Sequence, residues 1–94
     1  MRIRWLRRGL GTRDAQLKYI ADRNPAAAAR LGDTIRAAVA LLADNPHMGR
    51  AGRVDGTREL VVARTPYVII YRVIATEVRI IRMLHSAQRW PPMN

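Results

Sequence analysis

The sequence predicts an α+β domain: an N-terminal strand, an antiparallel helical hairpin, then a three-stranded antiparallel meander. Three observations predict it. Residues 57–85 hold three runs rich in Val, Ile and Tyr, divided by the turn signals Arg64-Thr65-Pro66 and Ala75-Thr76. Connections that short join neighbouring antiparallel strands. Upstream, Ala28, Leu31, Ile35, Ala38 and Leu42 recur at three- and four-residue steps, behind Asn24 as a cap and Pro25 at the first helical position. Only a residue or two separates that helix from another helical segment ending near Arg23, so the two form a hairpin.

Taken in order, residues 2–6 alternate Arg-Ile-Arg-Trp-Leu and read as a short strand with Ile3 and Trp5 inward. Gly9 and Gly11 loosen the segment after that strand. Thr12 then reads as the N-cap of a first helix running to about Arg23, with Leu10, Asp14, Leu17, Ile20 and Ala21 near one stripe. Asn45-Pro46 stops the second helix. Residues 45–56 hold Pro46, Gly49, Gly52 and Gly56 with His47, Arg50 and Arg53, and read as a connecting loop. Their glycines lack the spacing of a phosphate-binding loop, and no strand-to-helix context surrounds them. Leu31, Ile35, Leu42, Ile69, Tyr71 and Ile80 are expected to be buried together, because helix stripe and sheet face have only each other to cover them.

Ninety-four residues are expected to make one domain, spanning 1–94. There is no cysteine, so thiolate and disulfide chemistry are excluded. No apolar run approaches the roughly 20 residues of a membrane span and no signal peptide opens the chain, which points to the cytoplasm and away from a membrane. Seventeen basic residues, sixteen of them arginine, face seven acids for a net charge of +10. Residues 1–13 carry five arginines and no acid. Residues 14–44 balance Lys18 and three arginines against four aspartates. Residues 45–94 set eight arginines against Asp55, Glu59 and Glu77. The charge therefore sits on both flanks of a neutral hairpin, where its field steers an anionic partner. In the meander the polar positions are nearly all arginine: Arg58, Arg64, Arg72, Arg79 and Arg82. The planar fork of arginine suits phosphate and carboxylate alike, and charge alone leaves both open.

Few reactions have their residues here. Metal ligation needs clustered His, Cys or carboxylates, and His47 and His85 are far apart in sequence, so neither a metal nor a cofactor is expected. The single serine, Ser86, adjoins His85, and neighbours on a strand end point in opposite directions. One metal-free option stands: cleavage of RNA, with His85 as the acid and Arg58, Arg72 or Arg82 stabilising the phosphorane. Against it, a lone histidine at a strand end is more often a structural hydrogen-bonding residue.

The order of elements resembles the RelE/ParE toxin superfamily. So do the Asn24-Pro25 helix start, the runs Gly56-Thr57-Arg58-Glu59-Leu60 and Pro66-Tyr67-Val68-Ile69-Ile70-Tyr71-Arg72-Val73, and Gln88-Arg89-Trp90-Pro91. The resemblance covers nearly the whole chain. It implies the RelE-like fold and a toxin of a bacterial type II toxin–antitoxin pair, neutralised by an acidic, partly disordered antitoxin. RelE-type members cut messenger RNA in the ribosome and place an arginine in the strand where this chain has Val68. An apolar valine cannot stabilise a phosphorane, so the departure favours the ParE-like branch, which acts on DNA gyrase. On that reading no residue is catalytic, and the partner-binding residues are Arg58, Arg72, Arg79, Arg82, Arg89 and Trp90. The alternative is a ribosome-dependent endoribonuclease using His85, Arg58, Arg72 and Arg82.

Overall fold

In the computed structural model, which describes residues 1–92, the chain runs β1 (Arg2–Trp5), α1 (Arg7–Ala21), α2 (Pro25–Asp44), β2 (Arg50–Ala51), β3 (Arg58–Val61), β4 (Tyr67–Ile74) and β5 (Glu77–His85). The architecture is the expected α+β one, with the strand order β1-β5-β4-β3-β2. The meander pairs antiparallel, and β1 lies parallel to β5 at its outer side.

The hairpin is set by local chemistry. Asn24 Oδ1 accepts the Ala27 N–H at 3.1 Å, and Pro25 fills the first helical position, where an N–H has no intrahelical partner. The Leu31, Ile35, Val39 and Leu42 stripe of α2 is buried against Tyr67, Ile69, Tyr71, Val78, Ile80 and Met83. All six core residues expected from the sequence are inside, and Leu42, Ile69, Tyr71 and Ile80 are inaccessible to solvent. Between the helices and β1 remains a hollow of about 290 Å³ lined by Trp5, Leu17, Ile35 and Val39, with Arg13 stacked 4.8 Å from the Trp5 ring. Among the described residues no helix is long and apolar enough to cross a membrane.

Two local expectations are corrected. Helix α1 starts at Arg7 rather than at Thr12, without a side-chain cap. Thr12 lies inside it, and its hydroxyl donates to Gly9 O and accepts the Met83 N–H, both at 2.9 Å. The capping oxygen is thus spent on joining helix to sheet. Gly9 does not loosen the chain either: a Cβ there would stand 2.6 Å from Ile80 O, so its bare backbone lets α1 lie directly on β5. The second correction is in residues 45–56, where Arg50 and Ala51 form β2 against Glu59 and Arg58. Tyr71 holds this segment, donating its hydroxyl to Pro46 O at 2.8 Å and accepting the Gly49 N–H at 2.9 Å.

Candidate functional site

The pleat of β4 sends Tyr67, Ile69 and Tyr71 toward the helices and Val68, Ile70 and Arg72 to the opposite face of the sheet. On that opposite face Arg72 stands across from Arg79 of β5, and Arg79 across from Arg4 of β1. The three arginines form one transverse row, with strands about 4.8 Å apart. Like charges directly opposite one another destabilise a sheet. Glu77 offsets part of that cost: Arg79 Nε and Nη2 donate to its Oε1 at 3.3 and 3.1 Å, and Arg4 lies 4.0 Å from it. Arg72 Nη1 donates to Asp55 O at 3.3 Å. The guanidinium reaches that loop because Gly56, at φ 78°, has no Cβ to stand 2.6 Å from it.

A bulge brings a fourth arginine to the face. Ile70 pairs with Arg82 but Tyr71 with Ile80, so Ile81 is the extra residue. Strict alternation from Ile80 would have turned Arg82 into the core and Met83 out. Instead Met83 is fully buried, and Arg82 sits beside Ile70 with its carbon atom Cζ 5.6 Å from the Trp90 ring centre. Burial, and then the charge of Arg8, lower the Arg82 pKa from the usual guanidinium value. Its Nη1 donates to Ile81 O at 2.7 Å.

The middle of the face is closed. Trp90 lies with Val68, Ile70 and Leu84 around a remaining hollow of about 10 Å³, which is room for about one water. The indole Nε1 is buried with no acceptor among the described residues. Arg53 Nη1 donates to Trp90 O at 3.4 Å, fastening the tail to the loop. Glu59, only 3% exposed, lines the same hollow. It accepts from Arg50 Nη2 and from the Arg53 N–H, each at 3.0 Å, and Arg53 Nε lies 3.8 Å away. Burial opposes its ionisation. The Arg53 N–H, the Arg50 hydrogen bond and both charges outweigh that, and its carboxyl sits below its ordinary value.

The remaining candidates lie elsewhere. Arg58 pairs with Tyr71 on the helix side of the sheet, donating from Nη1 to His47 O at 3.2 Å and Gly49 O at 2.7 Å. His85 ends β5. Its Nδ1 accepts the Ala87 N–H at 3.1 Å, its N–H donates to Gln88 Oε1 at 2.7 Å, and its ring meets Tyr67 edge-on at 5.7 Å. Arg89 is exposed in the segment after β5. The structure therefore brings Arg72, Arg79, Arg82 and Trp90 to one face, and separates Arg58 from Arg72 and Arg82 across the sheet. Sequence reasoning missed Arg4, whose place in the row depends on β1 pairing parallel to β5, and Glu59, whose burial depends on β2. The alternation of Arg2 and Arg4 was the available signal for the first. No cluster of three or more His, Cys, Asp or Glu is present among the described residues.

Residues 3–90 match the family model described as the ParE toxin of the type II toxin–antitoxin system parDE. The chain belongs to the ParE toxin family. It is 47% identical over 90 residues to "Putative toxin Y4kP" of Sinorhizobium fredii, covering 96% of this chain and 93% of that protein. It is also 38% identical to "Toxin RelE2" of Caulobacter vibrioides, over 89% of this chain and 93% of the relative. A solved structure described as "Chromosomal ParDE TA system from P. aeruginosa" shares the fold at a TM-score of 0.78 and 28% identity, covering 88% of this chain and 92% of that one. This ParE-family chain is accordingly a toxin of a type II toxin–antitoxin system.

Proposed function

We propose that the chain arrests growth in the cytoplasm by inhibiting DNA gyrase, and that an acidic cognate antitoxin neutralises it. The observation that carries this reading is the closed arginine face. The site where RNA cleavage would need an open pocket is filled by Val68, Ile70, Leu84 and Trp90, while Arg4, Arg72 and Arg79 stand on the same face for a partner to meet. Half-buried arginines beside an aromatic are the residue types that anchor protein interfaces. Arg72, Arg79 and Arg82 with Trp90 are the expected anchors on this face and Arg89 a supporting contact, while Arg58 would meet a partner only from the helix side of the sheet. A relative carries the name RelE2, which supports a second reading: messenger RNA cleavage at the ribosome, with His85 as general acid and Arg72 and Arg82, which share a face, as stabilisers, while Arg58 stands across the sheet from them.

A supercoiling assay with purified gyrase, run beside primer extension on translated messenger RNA, separates the two. The expected result is inhibited supercoiling with no new cleavage sites, and inhibition lost in an Arg72→Gln, Arg79→Gln double variant that keeps the parent's unfolding midpoint. His85→Ala should leave inhibition in place. Cleaved message that falls about 10²–10⁴-fold in His85→Ala would replace the gyrase reading with the ribonuclease one.

A further inference from the structure

The outward face of the sheet has two unlike ends. Around Trp90 it is apolar and closed. At the end built by β1, the last part of β4 and the first part of β5, the outward positions are Arg2, Arg4, Arg72, Glu77 and Arg79, with Ile74 beside the turn. Four guanidiniums there face one carboxylate. Glu77 is held by Arg79 at 3.1 Å and lies 4.0 Å from Arg4, so this end stays strongly positive. Arg2 and Arg4 are exposed, and Arg72 and Arg79 are half-buried. Arg4, Arg79 and Arg72 follow one another at the strand spacing of about 4.8 Å, and Arg2 stands two residues from Arg4, about 7 Å along β1. The cations form one patch about 10 Å across the strands.

Its chemistry narrows the partner. The core of a protein interface is apolar and depleted of charge, whereas Ile74 is the one apolar side chain among these outward positions. Interfaces with DNA are polar and strongly positive, and a duplex presents one negative charge per about 1.7 Å of its axis. Single strands are held differently, by stacking their bases on aromatic side chains. Trp90 is the aromatic of this face, and it is packed with Val68, Ile70 and Leu84 around a hollow of about 10 Å³, which admits no base. The patch therefore suits a backbone of phosphates and has nothing with which to stack a base.

We infer that this end of the face lies along the phosphate backbone of duplex DNA, with Arg2, Arg4, Arg72 and Arg79 reaching phosphates and no base being read. The inference rests on the gyrase reading above for the source of the duplex, since DNA is what that enzyme holds. On this account the toxin meets enzyme and DNA together: the arginine patch lies on the DNA, and Arg82 with Trp90 faces the protein.

Fluorescence anisotropy of a labelled DNA duplex, titrated with the purified chain at several salt concentrations and without gyrase, tests it. The expected result is binding independent of sequence, with log affinity falling against log salt at a slope of about −3, or roughly sixtyfold for a fourfold rise in salt. Arg4→Gln and Arg79→Gln should each make that slope shallower by about 1, and Arg4→Lys should restore it. Arg30→Gln removes an exposed cation of α2, on the other side of the sheet, and should leave the slope as it is. An equal change in Arg30→Gln and Arg4→Gln overturns the inference, because net charge and not this face then holds the DNA. Absence of duplex binding also overturns it, and supercoiling that is still inhibited then leaves the gyrase reading standing. Tighter binding of a single-stranded RNA of the same length overturns it in favour of RNA. Duplex binding as expected beside uninhibited supercoiling upholds the DNA surface and removes the gyrase reading.

Discussion

Glu59 is the most constrained residue of the candidate face. Its pKa is depressed in the folded chain, so its contribution is complete above the unfolded carboxyl's pKa and is lost as pH falls through the folded one. The thermal midpoint should therefore decline on acidification below the ordinary carboxylate range. Glu59→Gln should lower stability by about 1.5–3 kcal/mol at neutral pH, since it weakens hydrogen bonds made to a charged, buried acceptor. The variant should also decline less in acid, and identical pH slopes for parent and variant would contradict the assignment. Ile35 tests the other face of the sheet. It is 2% exposed within the core, and Ile35→Ala should cost about 2–5 kcal/mol, read as a lower urea midpoint at unchanged m. A cost below about 1 kcal/mol would mean that the hairpin does not depend on this contact.

At the scale of elements, both turns of the meander hold a non-glycine residue in the left-handed region: Arg64 at φ 65° and Ala75 at φ 53°. For an L-residue that conformation costs about 1–2 kcal/mol, while glycine adopts it freely but loses about 0.5–1 kcal/mol in unfolded-chain entropy. Ala75→Gly in the β4–β5 turn should thus stabilise the chain by about 0.5–1 kcal/mol, measured by denaturant unfolding. A loss of stability would show that the turn's methyl packs. The bulge at Ile81 works at the same scale. One extra residue moves Arg82 out and Met83 in, and the Met83 N–H beside it is satisfied by Thr12 of α1.

For the whole molecule, the +10 charge governs encounter more than final affinity. Association with the antitoxin should slow markedly between low salt and physiological salt, where the Debye length shrinks to about 8 Å, while dissociation changes much less. Stopped-flow rates at several ionic strengths check this, and a salt-independent association rate would remove electrostatic steering from the account. The flanks that carry this charge in the sequence become one surface through a single pairing: parallel β1 against β5 places Arg4 of the N-terminal flank beside Arg79 and Arg72 of the C-terminal one.

The helical hairpin, the three antiparallel strands and the buried set around Ile35 and Tyr71 were all legible in the sequence. Each comes from nearest-neighbour chemistry: a cap at Asn24, a stripe of period 3.6, two short turns. The dominance of arginine at the solvated sheet positions was legible too. Which arginines meet was settled only by tertiary pairing. The parallel placement of β1, the extra residue at Ile81, the two-residue β2 that buries Glu59, and Trp90 over Val68 and Ile70 are contacts between segments remote in the chain. No local propensity encodes such pairings, because their free energy comes from surfaces that exist only once the sheet has formed.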